Sequence, residues 1–267
     1  MIRVANAPVS YGAFELTVGV LPNVPGPDEL LDAIAAAGYE GTELGPLGYL
    51  GHGAELRSRL ESRGLALVGA YVELDFGGGD FSELERTLDV LEGFDAKPVL
   101  ADSGPRDGDV DLDGVERAVE LARERGFEPT FHHHMGTRVQ SPAEIERLLA
   151  GTSVGLVLDT GHLTAAGGDP VRALRDWRDR IDHLHVKDVS LGVISAAASW
   201  DEAWRHGAFC ELGTGDVDLA RFFAELGDYA GWLVVEQDWV PRPGDDFAPQ
   251  AEAQARNRRW LLEHAGL

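Results

Sequence analysis

The sequence predicts an α/β protein in which eight strand and helix units close into a single (β/α)8 barrel, the TIM-barrel architecture. Short apolar runs flanked by turn residues alternate with longer segments of helical period, and eight such units can be counted. A chain of 267 residues is long enough for one α/β barrel around one core. The first run is followed by NAPVSYGAF, which lacks the G-x-G-x-x-G of an open dinucleotide-binding sheet. We therefore expect one barrel domain over residues 1–267.

The eight predicted strands are short apolar runs bounded by glycine, proline or charged residues. They cover residues 3–7, 41–44, 65–72, 98–101, 128–132, 155–159, 181–185 and 232–236. All strands of such a barrel run parallel and end on one rim, where enzymes with this fold carry their chemistry. The residues at the strand ends are therefore the first candidates for a functional site.

Helical segments separate these strands, and four clear ones are PDELLDAIAAAG, ELERTLDVLEGF, DGVERAVELARERG and DLARFFAELG. Glycines suited to the left-handed residue after a helix stand at three positions, Gly38, Gly64 and Gly126. Asp169 before Pro170 predicts an N-cap followed by proline at the first helical position. Ser141 with Glu144 three residues later predicts a capping box.

The charge of the chain limits its partners. There are 46 acidic and 23 basic residues, and the resulting formal charge of −23 repels phosphate backbones and anionic lipid surfaces. We expect no nucleic-acid or membrane partner. No apolar run approaches the roughly 20 residues of a spanning helix, and the N-terminus has no signal-peptide pattern. The single cysteine, Cys210, cannot form an internal disulfide, so we expect a cytoplasmic protein.

Polar side chains gather at the predicted strand ends. They are Glu43 and Glu73 on strands two and three, His132 and His134 on strand five, Asp159 and His162 on strand six, His183, His185 and Lys187 on strand seven, and Glu236 and Asp238 on strand eight. Residues two apart in a strand share a face, so His132 and His134 point one way and His133 the other. His183 lies deeper in its strand, which makes His185 the better ligand.

Two imidazoles and two carboxylates from four strands form a mixed nitrogen and oxygen donor set. Such a set suits Mn²⁺, Co²⁺, Zn²⁺ or Fe²⁺, and suits Mg²⁺ less well. The predicted metal ligands are His132, Asp159, His185 and Glu236. Each residue alone also has an ordinary structural interpretation, as a hydrogen-bonded histidine or an aspartate in a turn. Their convergence on one rim favours a metal site, with His134 and Lys187 beside it to orient ligands or meet substrate oxygens.

Several stretches carry a resemblance to a known family. They are FHHHMGTRVQSPAEIERLL, VGLVLDTGHLTAAGGDP, DRIDHLHVKDV, LGTGDVDLARFF and GWLVVEQD, with a softer match in GYEGTELGPLGYL. The sequence resembles the sugar isomerase and epimerase superfamily with xylose-isomerase-like barrels, and within it the inosose dehydratases of inositol catabolism. The resemblance implies a divalent metal held at strand ends five to eight, and often a homodimer or homotetramer.

One position departs from the wider superfamily. Many relatives have glutamate at the place of His132, and that glutamate commonly serves as an acid or base in the epimerases. A neutral imidazole there argues against epimerisation by a pair of carboxylates. The inosose dehydratases share the HHHMGT form, which favours dehydration.

We therefore expect a metal-dependent carbon–oxygen lyase that dehydrates a keto-polyol such as an inosose. A divalent ion stabilises the enediolate formed when the α-proton is removed, and the β-hydroxyl then leaves. The sequence leaves the general acid and base open among five rim residues, Glu43, Glu73, His134, His162 and Lys187. For Lys187 a salt bridge to a carboxylate is an equally good interpretation. Substrate contacts are expected from Arg138, Trp200 and Arg242, although tryptophans more often pack within the rim. Basic residues are few, so the expected substrate is unphosphorylated.

Three alternatives stay open. The same enediolate chemistry serves a metal-dependent keto-sugar isomerase or epimerase, which differs in where the proton returns. Some relatives of this barrel repair abasic DNA, but the charge of −23 argues against an endonuclease. A barrel that binds a sugar without turnover is the non-enzymatic alternative.

Overall fold

The structure, a computed structural model, describes residues 1–267. Its strands are β1 Arg3–Asn6, β2 Gly41–Glu43, β3 Ala66–Leu74, β4 Lys97–Asp102, β5 Thr130–His132, β6 Gly155–Asp159, β7 Ile181–Val186, β8 Asp188–Val189, β9 Phe209–Cys210 and β10 Trp232–Val235. Its helices are α1 Pro27–Ala37, α2 Gly53–Glu61, α3 Ser82–Leu91, α4 Leu112–Glu124, α5 Pro142–Gly151, α6 Thr160–Ala165, α7 Pro170–Asp176, α8 Leu191–Ala196, α9 Trp200–Arg205, α10 Leu219–Glu225 and α11 Ala248–Ala265. Short 3₁₀ turns occupy Pro8–Tyr11 and Arg178–Arg180.

Eight strands form a closed barrel in the order β1-β10-β7-β6-β5-β4-β3-β2. The predicted (β/α)8 fold is confirmed, and each predicted strand overlaps one of the eight. The remaining strands, β8 and β9, form a separate antiparallel pair. No helix has the length and apolarity that a bilayer-spanning segment requires.

The chain divides into two compact units, and the first combines Met1–Val68 with Val186–Leu267. Within it β1 pairs in parallel with β10 and with β2. Small apolar side chains fill the space beside these strands, and the cluster consists of Ala5, Ala7, Val68 and Val234. All four are at most 2% exposed, so the strands of this unit rest on a tightly packed core.

The second unit is Gly69–His185. Strands β3 to β7 pair in parallel in chain order. The register places Asp159 of β6 beside His185 of β7, and His132 of β5 beside Val157 of β6. Side chains on paired positions of neighbouring strands share a face. The ladder itself therefore brings the polar strand ends of this unit together.

The local signals in the sequence predict the helix ends well. Left-handed φ angles of 88°, 67° and 85° occur at Gly38, Gly64 and Gly126. The capping box is present, since Ser141 N donates to Glu144 Oε2 at 2.8 Å. Asp169 Oδ1 accepts from Val171 N at 2.9 Å and caps α7.

Two regions differ from the sequence-based prediction. Strand β3 continues to Leu74, so Glu73 lies within the strand rather than beyond its end. The sequence predicts no strand or helix between the strand that ends at residue 185 and the helical segment DLARFFAELG, whereas the structure places α8, α9 and the β8/β9 pair there. Two-residue strands are too short to produce a periodic pattern, and this explains why they were missed.

Candidate metal centre and active site

Three buried residues at neighbouring strand ends form an imidazole–carboxylate cluster, His132, Asp159 and His185. His132 ends β5, Asp159 ends β6, and His185 is the penultimate residue of β7. Asp159 Oδ2 lies 3.2 Å from His132 Nε2 and 3.8 Å from His185 Nδ1. All three are at most 3% exposed. Three of the four predicted metal ligands are thus brought together within one compact unit.

The geometry of this cluster suits a bound cation. Bonds from a divalent ion to nitrogen or oxygen are about 2.0–2.2 Å long, which puts neighbouring ligand atoms roughly 3.0–3.5 Å apart. The separations of 3.2 and 3.8 Å lie at or near that range. Asp159 Oδ1 accepts from His162 N at 2.8 Å, and this bond holds Oδ2 towards the imidazoles. The residues present therefore fit a metal of the type that the donor set predicts.

His133 has a different environment from its neighbours. Its Nε2 accepts from the backbone N–H of Asp159 at 3.2 Å. The side chain is fully buried, and burial lowers its pKa to about 3, so the ring is neutral at neutral pH. His133 thus connects the end of β5 to the end of β6.

His134 and His162 lie next to the cluster. Their rings are 4.0 Å apart, and each ring centroid is within 5.6 Å of that of His132. His134 Nδ1 lies 2.8 Å from the carbonyl of Met135, which only accepts, so Nδ1 carries the proton. The N–H of Met135 donates to His162 Nδ1 at 3.4 Å. These contacts leave Nε2 of His134 as an acceptor and Nε2 of His162 as a donor when the rings are neutral.

A second buried group forms a lysine–carboxylate cluster, Lys187, Glu236 and Asp238. Lys187 Nζ lies 2.8 Å from Glu236 Oε2 and 2.8 Å from Asp238 Oδ1. Lys187 is 2% exposed, and its ammonium also sits 4.9 Å from the ring centroid of Phe209. The salt-bridge interpretation of Lys187 is therefore correct, and its partners include the fourth predicted metal ligand. One positive charge faces two negative ones, so the ionised cluster has a net charge of −1.

The residue after Lys187 organises the loop around it. Asp188 is fully buried, and its carboxylate accepts four backbone N–H groups at 2.8 to 3.1 Å, from Val189, Gly213, Gly215 and Val217. A Cβ on Gly215 would lie 2.3 Å from Asp188 Oδ1, so the close approach requires glycine. This role of Asp188 is not predicted from the sequence. The signal that could have revealed it is the pair of closely spaced glycines in LGTGDV, because the backbone N–H of a glycine can come close to a buried carboxylate.

The two predicted glutamates differ in environment. Glu43 ends β2 and is 3% exposed. Glu73 is exposed, and its Oε1 accepts from Tyr71 Oη at 2.9 Å. The Tyr71 ring centroid lies 5.9 Å from that of His132, so this tyrosine lies between Glu73 and the imidazole–carboxylate cluster. Tyr71 was not predicted, although its position two residues before Glu73 placed it on the same strand face.

The predicted substrate-binding residues lie in three different surroundings. Arg138 pairs with the buried Asp102 and with Asp75, at 2.5 and 3.1 Å, and these carboxylates raise its pKa. Trp200 begins α9 and packs edge-on against Phe209. Arg242 follows β10 and is exposed. The substrate roles of these three residues stay predictions.

Comparison with known proteins identifies a family and relatives that this chain resembles. A profile of the family described as xylose isomerase-like TIM barrel matches residues 31–264. An inosose dehydratase of Bacillus cereus (strain AH820) is 31% identical over 276 residues, which cover 90% of each protein.

Two solved structures share the fold. The IOLI protein with a bound zinc atom has a TM-score of 0.74 at 14% identity, over 99% of this chain and 98% of that one. The probable 3-DHS dehydratase AsbF of Bacillus anthracis has a TM-score of 0.71 at 15% identity, over 97% and 98%. At these identities the likeness concerns the fold alone. The profile match and the dehydratase relative, which span most of the chain, show that this protein belongs to the xylose isomerase-like TIM barrel family.

Proposed function

We propose that the protein is a metal-dependent dehydratase, a carbon–oxygen lyase that acts on a keto-polyol such as an inosose. A relative that matches 90% of the chain at 31% identity is an inosose dehydratase. The resemblance in the histidine run and the donor set at the strand ends point to the same chemistry. We take residues 1–267 as one barrel domain that carries this activity.

One observation supports the proposal most directly. His132, Asp159 and His185 are buried, and Asp159 Oδ2 lies 3.2 Å from His132 Nε2 and 3.8 Å from His185 Nδ1. We assign these three, together with Glu236 directly after β10, as the ligands of a divalent ion, with Mn²⁺, Co²⁺, Zn²⁺ and Fe²⁺ as the fitting ions. When bound, such an ion supplies charge stabilisation to the oxygens of a substrate that loses an α-proton.

The residues around the proposed metal ligands would carry out the proton transfers. Dehydration breaks a C–H bond and a C–O bond, forms a C=C bond and releases water, so one group must take a proton and another must give one. Lys187 can donate from Nζ to a substrate oxygen, and Nε2 of His134 can accept. Glu43, Glu73 and His162 complete the candidates for the base and the acid.

The test is product analysis with metal-loaded enzyme. Incubation with an inosose should yield a dione that absorbs in the near ultraviolet, and chelation or His185→Ala should remove the signal. An active, metal-loaded preparation that interconverts keto-sugars and forms no dione would identify an isomerase or epimerase instead. Nicking of an abasic duplex, or polyol binding without turnover, would assign the remaining alternatives.

Three finer assignments rest on the same proposal. We place the enzyme in the cytoplasm, with a sugar or cyclitol as substrate. We expect a homodimer or homotetramer, as the family resemblance implies. Elemental analysis of protein purified without added metal, together with light scattering, addresses the ion and the assembly.

A further inference from the structure

Two adjoining cavities extend from the lysine–carboxylate cluster to the surface. The inner one has a volume of about 270 Å³, and Asp238, Gln237 and Phe209 form part of its wall. The outer one has a volume of about 530 Å³. Five residues line both, Trp204, Arg205, His206, Val240 and Arg242. The two cavities therefore adjoin at these five residues, and together they are called the channel.

The polarity of the channel changes along its length. Besides the shared residues, the inner cavity has polar groups of Gln237, Asp238 and Asp245. The outer cavity instead has mainly apolar groups, Phe14, Leu16, Leu21, Pro241 and Pro243. The ring of Trp204 stands at the junction and packs against Phe14 at a centroid distance of 5.6 Å. A ligand that fills both parts must have a polar end towards Asp238 and an apolar end beyond Trp204.

We propose that the substrate is a keto-polyol bearing an apolar ring substituent, whose polyol end lies near Asp238 and whose ring lies in the outer cavity. This inference rests on the proposed function, because the polyol end is assigned to the cavity lined by Asp238, a partner of Lys187. Apolar surface that would face water on the free ligand is covered by Phe14, Leu21 and Trp204 in the complex. Trp204 is the residue that most directly determines this specificity.

Binding measured without turnover tests the proposal. We would titrate the metal-loaded protein with methyl and phenyl β-D-glucopyranoside by calorimetry, since the two differ only in the apolar substituent. The phenyl compound should bind about tenfold more tightly, as about five additional buried carbon atoms predict. Trp204→Ala should remove this preference and so bring the affinities for the two glucosides together. Trp260→Ala, a half-buried tryptophan outside both cavities, is the matched control.

Equal affinities for the two glucosides, or equal effects of the two tryptophan substitutions, would overturn the channel proposal. Turnover of unsubstituted inosose is a separate measurement and concerns the dehydratase proposal alone. A preparation that forms the dione but shows no phenyl preference would therefore retain the proposed function and lose the substituent.

A different observation concerns helix α11, which carries a row of buried amides, Gln250, Gln254 and Asn257. Gln237 Oε1 accepts from Gln254 Nε2 at 3.1 Å and from Asn257 Nδ2 at 3.2 Å. The N–H of Gln237 donates to Ser10 Oγ at 3.0 Å, and Gln250 Nε2 donates to the Ser10 carbonyl at 2.6 Å. Gln237 is thus fixed through its backbone and its side chain.

Gln237 stands between Glu236 and Asp238, the two partners of Lys187. The amide row also reaches the loop that Asp188 organises, because Asn257 Oδ1 accepts from Leu212 N at 2.9 Å. We infer that this row is a positioning element, which sets the carboxylates of Glu236 and Asp238 around Lys187. Buried amide networks that are fully hydrogen-bonded restrict their members to one arrangement.

Metal affinity separates positioning from stability. Asn257→Asp keeps the acceptor for Leu212 and removes the donor to Gln237. It should weaken Zn²⁺ binding about tenfold, measured by competition with a fluorescent chelator well below the melting temperature. Arg256→Ala, which removes an exposed ion pair with Glu211 on the same helix, should leave the affinity unchanged.

Glu236→Gln identifies which proposal fails if one does. Weaker Zn²⁺ binding in Glu236→Gln together with wild-type binding in Asn257→Asp would overturn the positioning role. Wild-type binding in Glu236→Gln would instead remove Glu236 from the ligand set. Should Asn257→Asp not fold, Gln237→Met removes the accepting oxygen and allows the same measurement.

Discussion

The two buried polar clusters differ in how their charge is balanced. In the lysine–carboxylate cluster, Lys187 supplies a cation at 2.8 Å from both Glu236 and Asp238. In the imidazole–carboxylate cluster, Asp159 faces two imidazoles whose nitrogens offer lone pairs. A buried carboxylate among neutral donors is stabilised by a positive charge, because burial without one is costly. One cluster thus carries its own cation, whereas the donor atoms of the other fit a bound cation.

The largest effect on activity is expected from a substitution in the imidazole–carboxylate cluster. His185→Ala removes a nitrogen that lies 3.8 Å from Asp159 Oδ2. We expect loss of bound metal and a decrease in kcat/KM of about a thousandfold, the upper end for loss of one electrostatic contact. Elemental analysis and the dione assay measure the two quantities. Full metal content in the variant would remove His185 from the ligand set.

A substitution in the lysine–carboxylate cluster should lower the stability of the fold as well as the activity. Lys187→Met retains the length of the side chain but leaves two buried carboxylates without their ammonium. Loss of one partner from a buried ion pair costs about 3 to 5 kcal/mol of unfolding free energy. Urea unfolding at pH 7 measures this, with Lys97→Met as the control, since Lys97 pairs with Asp182 at a partly exposed position. Equal losses in the two variants would contradict the special status of the buried cluster.

Two neighbouring histidines of the run, His132 and His133, are expected to differ in whether their loss affects metal content or stability. His132→Ala should lower metal content and abolish activity. His133→Ala should retain the metal and lower the unfolding free energy by about 1 to 3 kcal/mol, because the N–H of Asp159 loses its buried acceptor. Metal analysis and urea unfolding on both variants decide the matter. Equal loss of metal from both would show that the assignment by strand alternation is incorrect.

The smallest effect is expected at the capping box of α5, which contains no residue of either cluster. Burial raises the pKa of Glu144, but hydrogen bonds from Ser141 and Gln140 and the ion pair with Arg106 outweigh it and lower the pKa to about 2. A carboxylate with a lowered folded-state pKa adds stability above its unfolded pKa, near 4.5, and loses it as the pH falls towards 2.

Glu144→Gln should therefore flatten the pH dependence of unfolding between about pH 5 and 2, by about 1 kcal/mol after screening by solvent. Metal content at pH 7 should not change. Urea unfolding of the variant and the wild-type protein across this range gives the result, and parallel pH profiles would rule out the contribution.

The sequence was sufficient for the barrel and for the imidazole–carboxylate cluster, because both follow from periodicity. Strands of alternating pattern end on one rim, and His132, Asp159 and His185 stand at those ends. Contacts between residues distant in sequence and outside the strands have no such pattern. The acceptor role of Asp188 and the amide row of α11 became visible only with the coordinates, since each depends on how a loop or a helix packs.

Arg138 illustrates the same limit from the other side. An arginine near a predicted rim suggests an anion-binding group, but its guanidinium pairs with Asp102 and Asp75 instead. With twice as many acidic as basic residues in the chain, an arginine often meets a carboxylate of the protein itself. The sequence alone does not show which carboxylate will be within reach.

Asp159 shares its two oxygens between a helix and the histidines. Oδ1 caps the start of α6 through His162 N, and Oδ2 faces the imidazoles. The rotation of this carboxylate is therefore restricted as soon as α6 forms, so the loss of side-chain freedom occurs on folding and not on ligand binding. A cation that binds at Oδ2 does not have to immobilise this side chain. Its binding free energy is therefore more favourable, because the conformational entropy of Asp159 has already been lost on folding.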